Sequence, residues 1–500
     1  MSRGGPPDLP AGLPRLAPAG WNRAATRYID PPLLAWDGAQ GAVQYDIGWR
    51  AGDAVTGRET ADAPTATFTP VWDRVPVGPV DWWAVARDGA GRPVGWTGER
   101  RFWRVPDFDG REEPALDLAG AARRTIRFLL DQPRADGTGW PRYLTHSWHG
   151  GSAGEQELAY PALHYPSFSS LFLAALQDPG CDGWRVEIEG ALETLAAAIL
   201  VERTPAGGVA PRMPVSTRQA AGVRRDWAEG GAISLFRAAR MGEAILELAA
   251  WKPDARLDEY AAHIAATLAR LQRPDGSWPY RIDARTGAVV DEYTSAGIST
   301  VPFFVRLMGM TGTPAYRDTV DRAVRWTLEQ PCTTHRWQGM YEDVAPAAPF
   351  ANLENWDALD AVAWLAGPGR PVPGALEAAV RLNRWVEDQF VVFGAVPGLE
   401  RTAIHPPGVI EQFICAYPME VHTAHWIEGL RALHEATGDS AYAIKACRAA
   451  NAIVRAQGPD GRLSTWGRDA RSGEPFSQEG DWYGCNAYAA RVLLGLAAAS

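Results

Sequence analysis

The sequence predicts a mainly α protein, an (α/α)6 toroid, full or incomplete, preceded by a small β-sandwich. Three observations predict it. From residue 106 to the end, segments such as "ISLFRAARMGEAILELAA", "YAAHIAATLARLQ" and "AYAIKACRAANAIVRAQ" carry apolar residues at i, i+3, i+4 and i+7, the spacing of one buried helix face. A loop signature recurs at helix ends: "DQPRADGTGWP" at 131–141, "LQRPDGSWPY" at 271–280 and "AQGPDGRLSTW" at 456–466. Each reads as a helix C-terminus, an Asp-Gly turn and an aromatic folding back over the bundle, and such recurrence marks stacked helical hairpins. Finally, residues 28–105 alternate polar and apolar in short runs, "VQYDIGWR", "TATFTP", "VDWWAVARD" and "RRFWRV", between Gly, Pro and Asp turns.

In chain order, residues 1–27 are Pro/Gly-rich and read as an extended arm. Residues 28–105 form the β-sandwich. The opening "Pro-x-Leu-x-Trp … Gly-Ala-x-x-Tyr-x-Ile" resembles fibronectin-III-like sandwiches that precede catalytic domains in polysaccharide-degrading enzymes. Residues 106–500 form the helical body, whose length gives about 32 residues to each of twelve helices with their loops. An open solenoid is the weaker alternative.

Composition narrows the function. A formal net charge of −10 argues against nucleic acid, whose binders carry basic patches. It leaves room for an acidic sugar, since a few local arginines suffice to hold one carboxylate. Twenty-two tryptophans suit stacking on sugar rings or filling a large core. The five cysteines form no CxxC pair and read as free thiols. No apolar run reaches membrane-spanning length and no leader is visible, so the chain reads as cytoplasmic, although a chain trimmed of a leader would look the same.

Candidate chemistry lies in polar segments set among apolar ones. "HRWQGMYEDV" contains His335, Arg336, Trp337, Tyr341, Glu342 and Asp343, too polar and aromatic for a plain connector. In "FANLENWDALDAVAWLA", Asn352, Glu354 or Asn355 caps the helix that follows, with Asn355 also a substrate-binding candidate. "SWPYRIDARTGAVVDEY" offers Trp278, Tyr280, Arg281 and Glu292, an aromatic platform beside a guanidinium able to pair with a carboxylate. His164, with His146 and His149, reads as a polar rim rather than a metal site, and no cofactor is expected. Trp482 lies just before the last helix, where Asp481 reads equally as a helix N-terminal charge.

The densest segment is "VIEQFICAYPMEVHTAHWIEGL", 409–430. Glu411 stands in an apolar setting that would raise its pKa and suit a general acid. On the helix from about Met419, His422 and Trp426 share a face directed to the cleft, while Ile427, Leu430 and Leu433 pack. His-x-x-His is not the zinc-protease pattern, and a buried structural histidine remains an alternative for His422.

From Trp337 onward, "WQGMYEDV", "NWDALDAVAWL" and "FGAVPG…VIEQ…M-x-x-HTAHW…TGD" are together similar to helical-toroid enzymes of glycan-degrading loci, including exo-acting β-glucuronidases with an (α/α)6 barrel. The resemblance implies a glycoside hydrolase acting on uronic-acid-containing saccharides, with Glu411, His422 and Tyr341–Asp343 as matched motif positions and a pair of carboxylates performing the cleavage. A lyase eliminating at a uronate, with Tyr or His as base, is the alternative. A non-catalytic sugar-binding protein is the third. The expected partner is an acidic oligosaccharide or glycoside, with neither nucleic acid nor membrane.

Overall fold

The computed structural model describes residues 9–52, 55–131, 161–216, 232–290, 297–337, 348, 350–368, 372–399, 404–414, 416–470, 472 and 482–499, together with the backbone of two short strands, Thr145–His146 and Gln156–Glu157. Tyr341, Glu342, Asp343 and Glu292 lie outside the described residues, as do His149 and Asp481.

Twelve helices of 11 to 18 residues are described: α1 Leu118–Leu130, α2 Pro161–Ala175, α3 Arg185–Val201, α4 Leu235–Trp251, α5 Ala255–Leu271, α6 Val301–Thr311, α7 Arg317–Glu329, α8 Trp356–Ala366, α9 Ala375–Phe390, α10 Glu420–Thr437, α11 Ser440–Arg455 and α12 Tyr483–Ala499. Around the ring α2 packs on α4, α4 on α6, α8 on α10, α10 on α12 and α12 on α2, and the turn Ile298–Thr300 leading into α6 bridges α4 and α8. The odd-numbered helices flank them outside: α1 lies on α12, α5 on α4, α9 on α10's neighbour α8, and α11 on α10. The result is the expected (α/α)6 toroid, an inner ring of six helices within an outer ring of six.

Local chemistry explains the boundaries. Asp117, Asp254 and Asp439 cap α1, α5 and α11 by accepting from the backbone N–H of Gly120, Arg256 and Ala441. Gly312 and Gly438, with φ of 67° and 71°, end α6 and α10 in the left-handed conformation that glycine adopts without steric cost. Two of the recurrent Asp-Gly turns serve equivalent places. Gly276 has φ of 96° and abuts the backbone of Arg322 on α7, and Gly461 has φ of 90° and abuts that of Arg124 on α1. A Cβ at either position would collide with the facing carbonyl. Gly276→Ala is therefore expected to lower stability by about 1–3 kcal/mol, read from the urea midpoint; an unchanged midpoint would refute the close approach.

Ahead of the ring, strands β1 Arg27–Tyr28, β2 Leu33–Ala35, β3 Gln44–Ala51, β4 Val55–Ala61, β5 Thr65–Thr67, β6 Gly78–Arg87, β7 Pro93–Trp96 and β8 Arg100–Arg104 form two sheets. The larger has the order β1-β8-β6-β3-β4 with β7 beside β6, and the smaller pairs β2 with β5. Trp36, Trp49, Phe68, Trp82 and Phe102 fill one core between them. The arm is held along this unit: Leu16 N–H donates to Trp96 O, and Asp37 N–H to Ala17 O.

The β-unit meets the ring on α9. The buried Asp388 carboxylate accepts from Ile29 N–H (2.5 Å) and Asp30 N–H (2.8 Å). Arg27 donates to Val391 O, Gln389 donates to Arg27 O, and Arg384 pairs with Asp30 and Asp107. The linker after β8 lies against α11, where Arg448 and Arg455 pair with Asp109 and Glu113.

Candidate functional site

At the N-terminal ends of α8 and α10 the polar groups of the rim are tied across hairpins. The strands Val391–Val392, Gly408–Ile410 and Pro418–Met419 form a small antiparallel sheet that delivers the chain into α10. Glu411 follows its central strand, half-buried, with its N–H donating to Tyr417 O. Asn355, immediately before α8 and fully buried, joins three pieces of this rim. Its Nδ2 donates to Ile410 O (2.5 Å) and Glu411 O (2.9 Å), and its Oδ1 lies 2.7 Å from His422 Nδ1.

Asn355 is thus not the helix cap expected of it, because its side chain is committed to the Glu411 loop and to His422. The cap is Glu354, whose carboxylate accepts from Trp356 N–H and Asp357 N–H. Burial, with Asp357 adding, holds Glu354 well above the usual carboxylate range. Asn352 pairs with Gln412 (2.6 Å) and accepts from Ile414 N–H, which ties it to the same loop. Burial keeps His422 neutral, its pKa well below normal, and its neighbour His425 adds to the effect.

His164, in the first turn of α2, stacks on Trp482 at 5.8 Å and 13°, so these two predicted residues are brought together. Burial, then the charge of Arg237, pushes His164 down to about 3. Tyr280 and Arg281 are buried where the strand Arg281–Asp283 pairs with Ala232–Ser234, the lead-in to α4.

Three tryptophans and a histidine fall elsewhere than expected. Trp278 is fully buried, donates to Leu268 O at 2.8 Å and stacks on Phe304, so it plugs a helix end and offers no sugar platform. Trp426 is also fully buried and turns outward, donating to Asn383 of α9 at 3.1 Å. Trp337 is buried, and its carbonyl accepts from Glu354 N–H. His335 stacks on Trp385 of α9 at 5.1 Å, with Trp21 of the arm against its edge, which places it at the seam with the β-unit. Arg336 beside it is exposed.

One turn below the rim, single polar residues from successive inner helices interlock. Trp356 lies against His422 (5.5 Å) and His425 (4.4 Å), and His425 stacks on Tyr488 at 4.0 Å. His425 Nδ1 is 3.0 Å from Tyr488 Oη and 3.3 Å from Asp360 Oδ1. Tyr488 donates its hydrogen to Glu428, so the proton on His425 Nδ1 is the imidazole's own, and Nε2 is the basic nitrogen. Burial lowers the His425 pKa despite Asp360. Asp360 also pairs with Arg240, and the Ser299 hydroxyl lies 2.8 Å and 2.9 Å from the Asp357 and Asp360 carboxylates. Burial alone would raise Asp360, but Arg240 and His425 outweigh it and hold it far below the usual range. Glu428, bonded to Arg491 at 2.7 Å, is lowered for the same reason: charge outweighs burial.

This column opens into a cavity of about 890 Å3 along the ring axis, bordered by Trp356, Trp364 and Trp251 and reaching Gln177 and Gly495 at the far ends of the inner helices. Sequence reading missed Arg240, Glu243, Glu247, Asp360, His425, Glu428, Tyr488 and Arg491. Their signal is a charged or hydroxyl residue every three or four positions on otherwise apolar helices.

Rim, column and axial cavity together belong to a ring of six helical hairpins. Solved structures with this fold include a family 76 glycoside hydrolase from a bovine Bacteroides thetaiotaomicron strain, 10% identical over 98% of this chain and 99% of that one, TM-score 0.50. They include a D-mannose isomerase, 11% identical over 76% and 99%, TM-score 0.54. The cellobiose 2-epimerase from Spirochaeta thermophila DSM 6192 is 13% identical over 76% and 95%, TM-score 0.53. At such identities the likeness is one of fold. No family model and no curated protein sequence matches the chain.

Proposed function

We propose that the protein is a carbohydrate-active enzyme, and specifically a glycoside hydrolase acting on uronic-acid-containing saccharides at the rim of the inner helices. The observation that carries this reading is the Asn355 node, which fixes the Glu411 loop and His422 to one point at the mouth of the ring. The ring itself is shared with enzymes named for work on mannose, cellobiose and glycosides, which supports a sugar as substrate. Arg237 and Arg281, both buried in the rim segment around the start of α4, are the candidate partners of a uronate carboxylate.

In this reading the Glu411 carboxylic acid gives its proton to the glycosidic oxygen as the anomeric C–O bond breaks, the bonding pair leaving with that oxygen. A second carboxylate, Glu342 or Asp343, takes a proton from the water that adds to the anomeric carbon. Glu411→Gln is expected to lower kcat for release of free uronic acid from a uronate-capped glycoside by about 10²–10⁴-fold. Full activity in that variant would remove Glu411 from the mechanism.

The histidine column favours a second reading, proton transfer at a sugar carbon, as in elimination at a uronate. His422 and His425 are both held neutral, and the base of such a step must be neutral to accept a proton. An ultraviolet-absorbing unsaturated product, lost in His422→Ala and retained in Glu411→Gln, would select this reading over hydrolysis.

A further inference from the structure

Four carboxylates, Glu243, Glu247, Asp360 and Glu428, border the axial cavity together with three arginines, Arg240, Arg306 and Arg491. Each arginine is committed: Arg240 to Asp360, Arg306 to Glu247 at 2.6 Å, and Arg491 to Glu428 at 2.7 Å. Glu243 is the carboxylate left over. Among the described residues no donor bonds to it and no cation pairs with it, although it stands between Arg240 and Glu247 on the cavity face of α4. Glu243 is partly accessible from the cavity, and a carboxylate without a counter-charge on such a wall is a ready seat for a proton or a bound cation. Indole rings border the same space, at Trp356 and Trp364 on α8 and at Trp251 where α4 ends. Indole faces attract cations and stack on sugar rings. The volume lies within the range of small-ligand sites.

We propose that the axial cavity binds an ammonium-bearing saccharide, with the charged nitrogen of an amino sugar seated at Glu243. The saccharide half of this assignment rests on the carbohydrate reading above, whereas the ammonium half rests on the unmatched carboxylate alone. A uronate fits this cavity poorly, because every arginine in it is already paired and the added anion would face Glu243, Glu247 and Asp360. A neutral sugar would gain nothing from the odd carboxylate. Glu243 itself lies more than two turns below the start of α4, in a cavity that begins at the rim beside Leu163 and Trp356 and extends to the opposite ends of the inner helices.

Protonation supplies a signature. Burial, with Glu247 and Asp360 adding and Arg240 and Arg306 opposing, pushes Glu243 up to about 7. At pH 6 the free protein therefore holds a proton there, and an arriving ammonium displaces it. Calorimetric titration at pH 6 with glucosamine, glucose and glucuronate, in two buffers of different ionisation enthalpy, tests this. Glucosamine is expected to bind at least about tenfold more tightly than glucose, glucuronate more weakly than either, with nearly one proton released per glucosamine bound. Glu243→Gln should abolish both the preference and the proton release while its melting temperature stays at or above that of the parent. Trp251→Ala, at the cavity mouth, should weaken glucosamine but keep the proton release per ligand. Equal affinity for glucose and glucosamine, no heat with glucosamine, or an unaltered Glu243→Gln would each overturn the proposal. Binding is read without turnover, so failure of the uronic acid assay would sink the rim mechanism and leave this site standing, and the reverse holds equally.

Discussion

Trp426→Ala is expected to lower the stability of the protein by about 3–5 kcal/mol, a loss typical of a fully buried large aromatic. The indole is buried on every side, its ring meets Phe393 at 5.9 Å, and its Nε1 donates to Asn383 across the α9–α10 contact. Truncation leaves a void between inner and outer helices and strands the Asn383 carbonyl oxygen. Equilibrium urea unfolding would register the change as a fall in midpoint. A wall of a sugar cleft would behave differently, with KM rising and stability nearly constant. That outcome would return Trp426 to the ligand side of the ring.

Arg240→Met should cost about 1–3 kcal/mol, because it leaves the partly buried Asp360 carboxylate without its strongest partner. Asp360 is held below its unfolded value of about 3.8, so its contribution to stability is full above that pH and is lost as pH falls through the lower folded value. The variant should lose that acid-side dependence. Arg240→Met combined with Asp360→Asn should recover much of the loss, since no charge is then left unpaired. A double variant less stable than either single one would mean that the pair is not the source of the effect.

These two residues also show what could be read from the chain and what could not. The toroid was legible because its determinants are local: the 3.6-residue period, and the Pro-Asp-Gly turns at Gly276 and Gly461 that must pass close to a neighbouring helix backbone. Asn355, His422, His164 and Trp482 stood out because they interrupt apolar sequence near helix starts, and the structure places them there. The orientation of α10 was not. An inner helix is buried on its axial side and on its outer-helix side alike, so periodicity marks two apolar faces without saying which one sees the cavity. His425 took the axial face and Trp426 the other. The axial charges were invisible for a related reason. Each is one residue per turn on its own helix, and its counter-charge comes from another hairpin, 120 residues away for Arg240 and Asp360. His335, conspicuous in a dense polar segment, was drawn instead to the seam by Trp385 and Trp21.

The seam itself has a mechanical consequence. The β-unit holds the end of α9 through Asp388, Gln389 and Arg384, and the linker behind it holds α11 through Arg448 and Arg455. Lys445 of α11 pairs with Glu387 of α9, joining the two helices directly. Both follow or precede α10 in the chain, so the helix carrying His422 and His425 is framed by two struts that the N-terminal unit clamps together. The preface to the ring thus acts as a splint on one hairpin of six, setting the stiffness of the wall where the histidines stand.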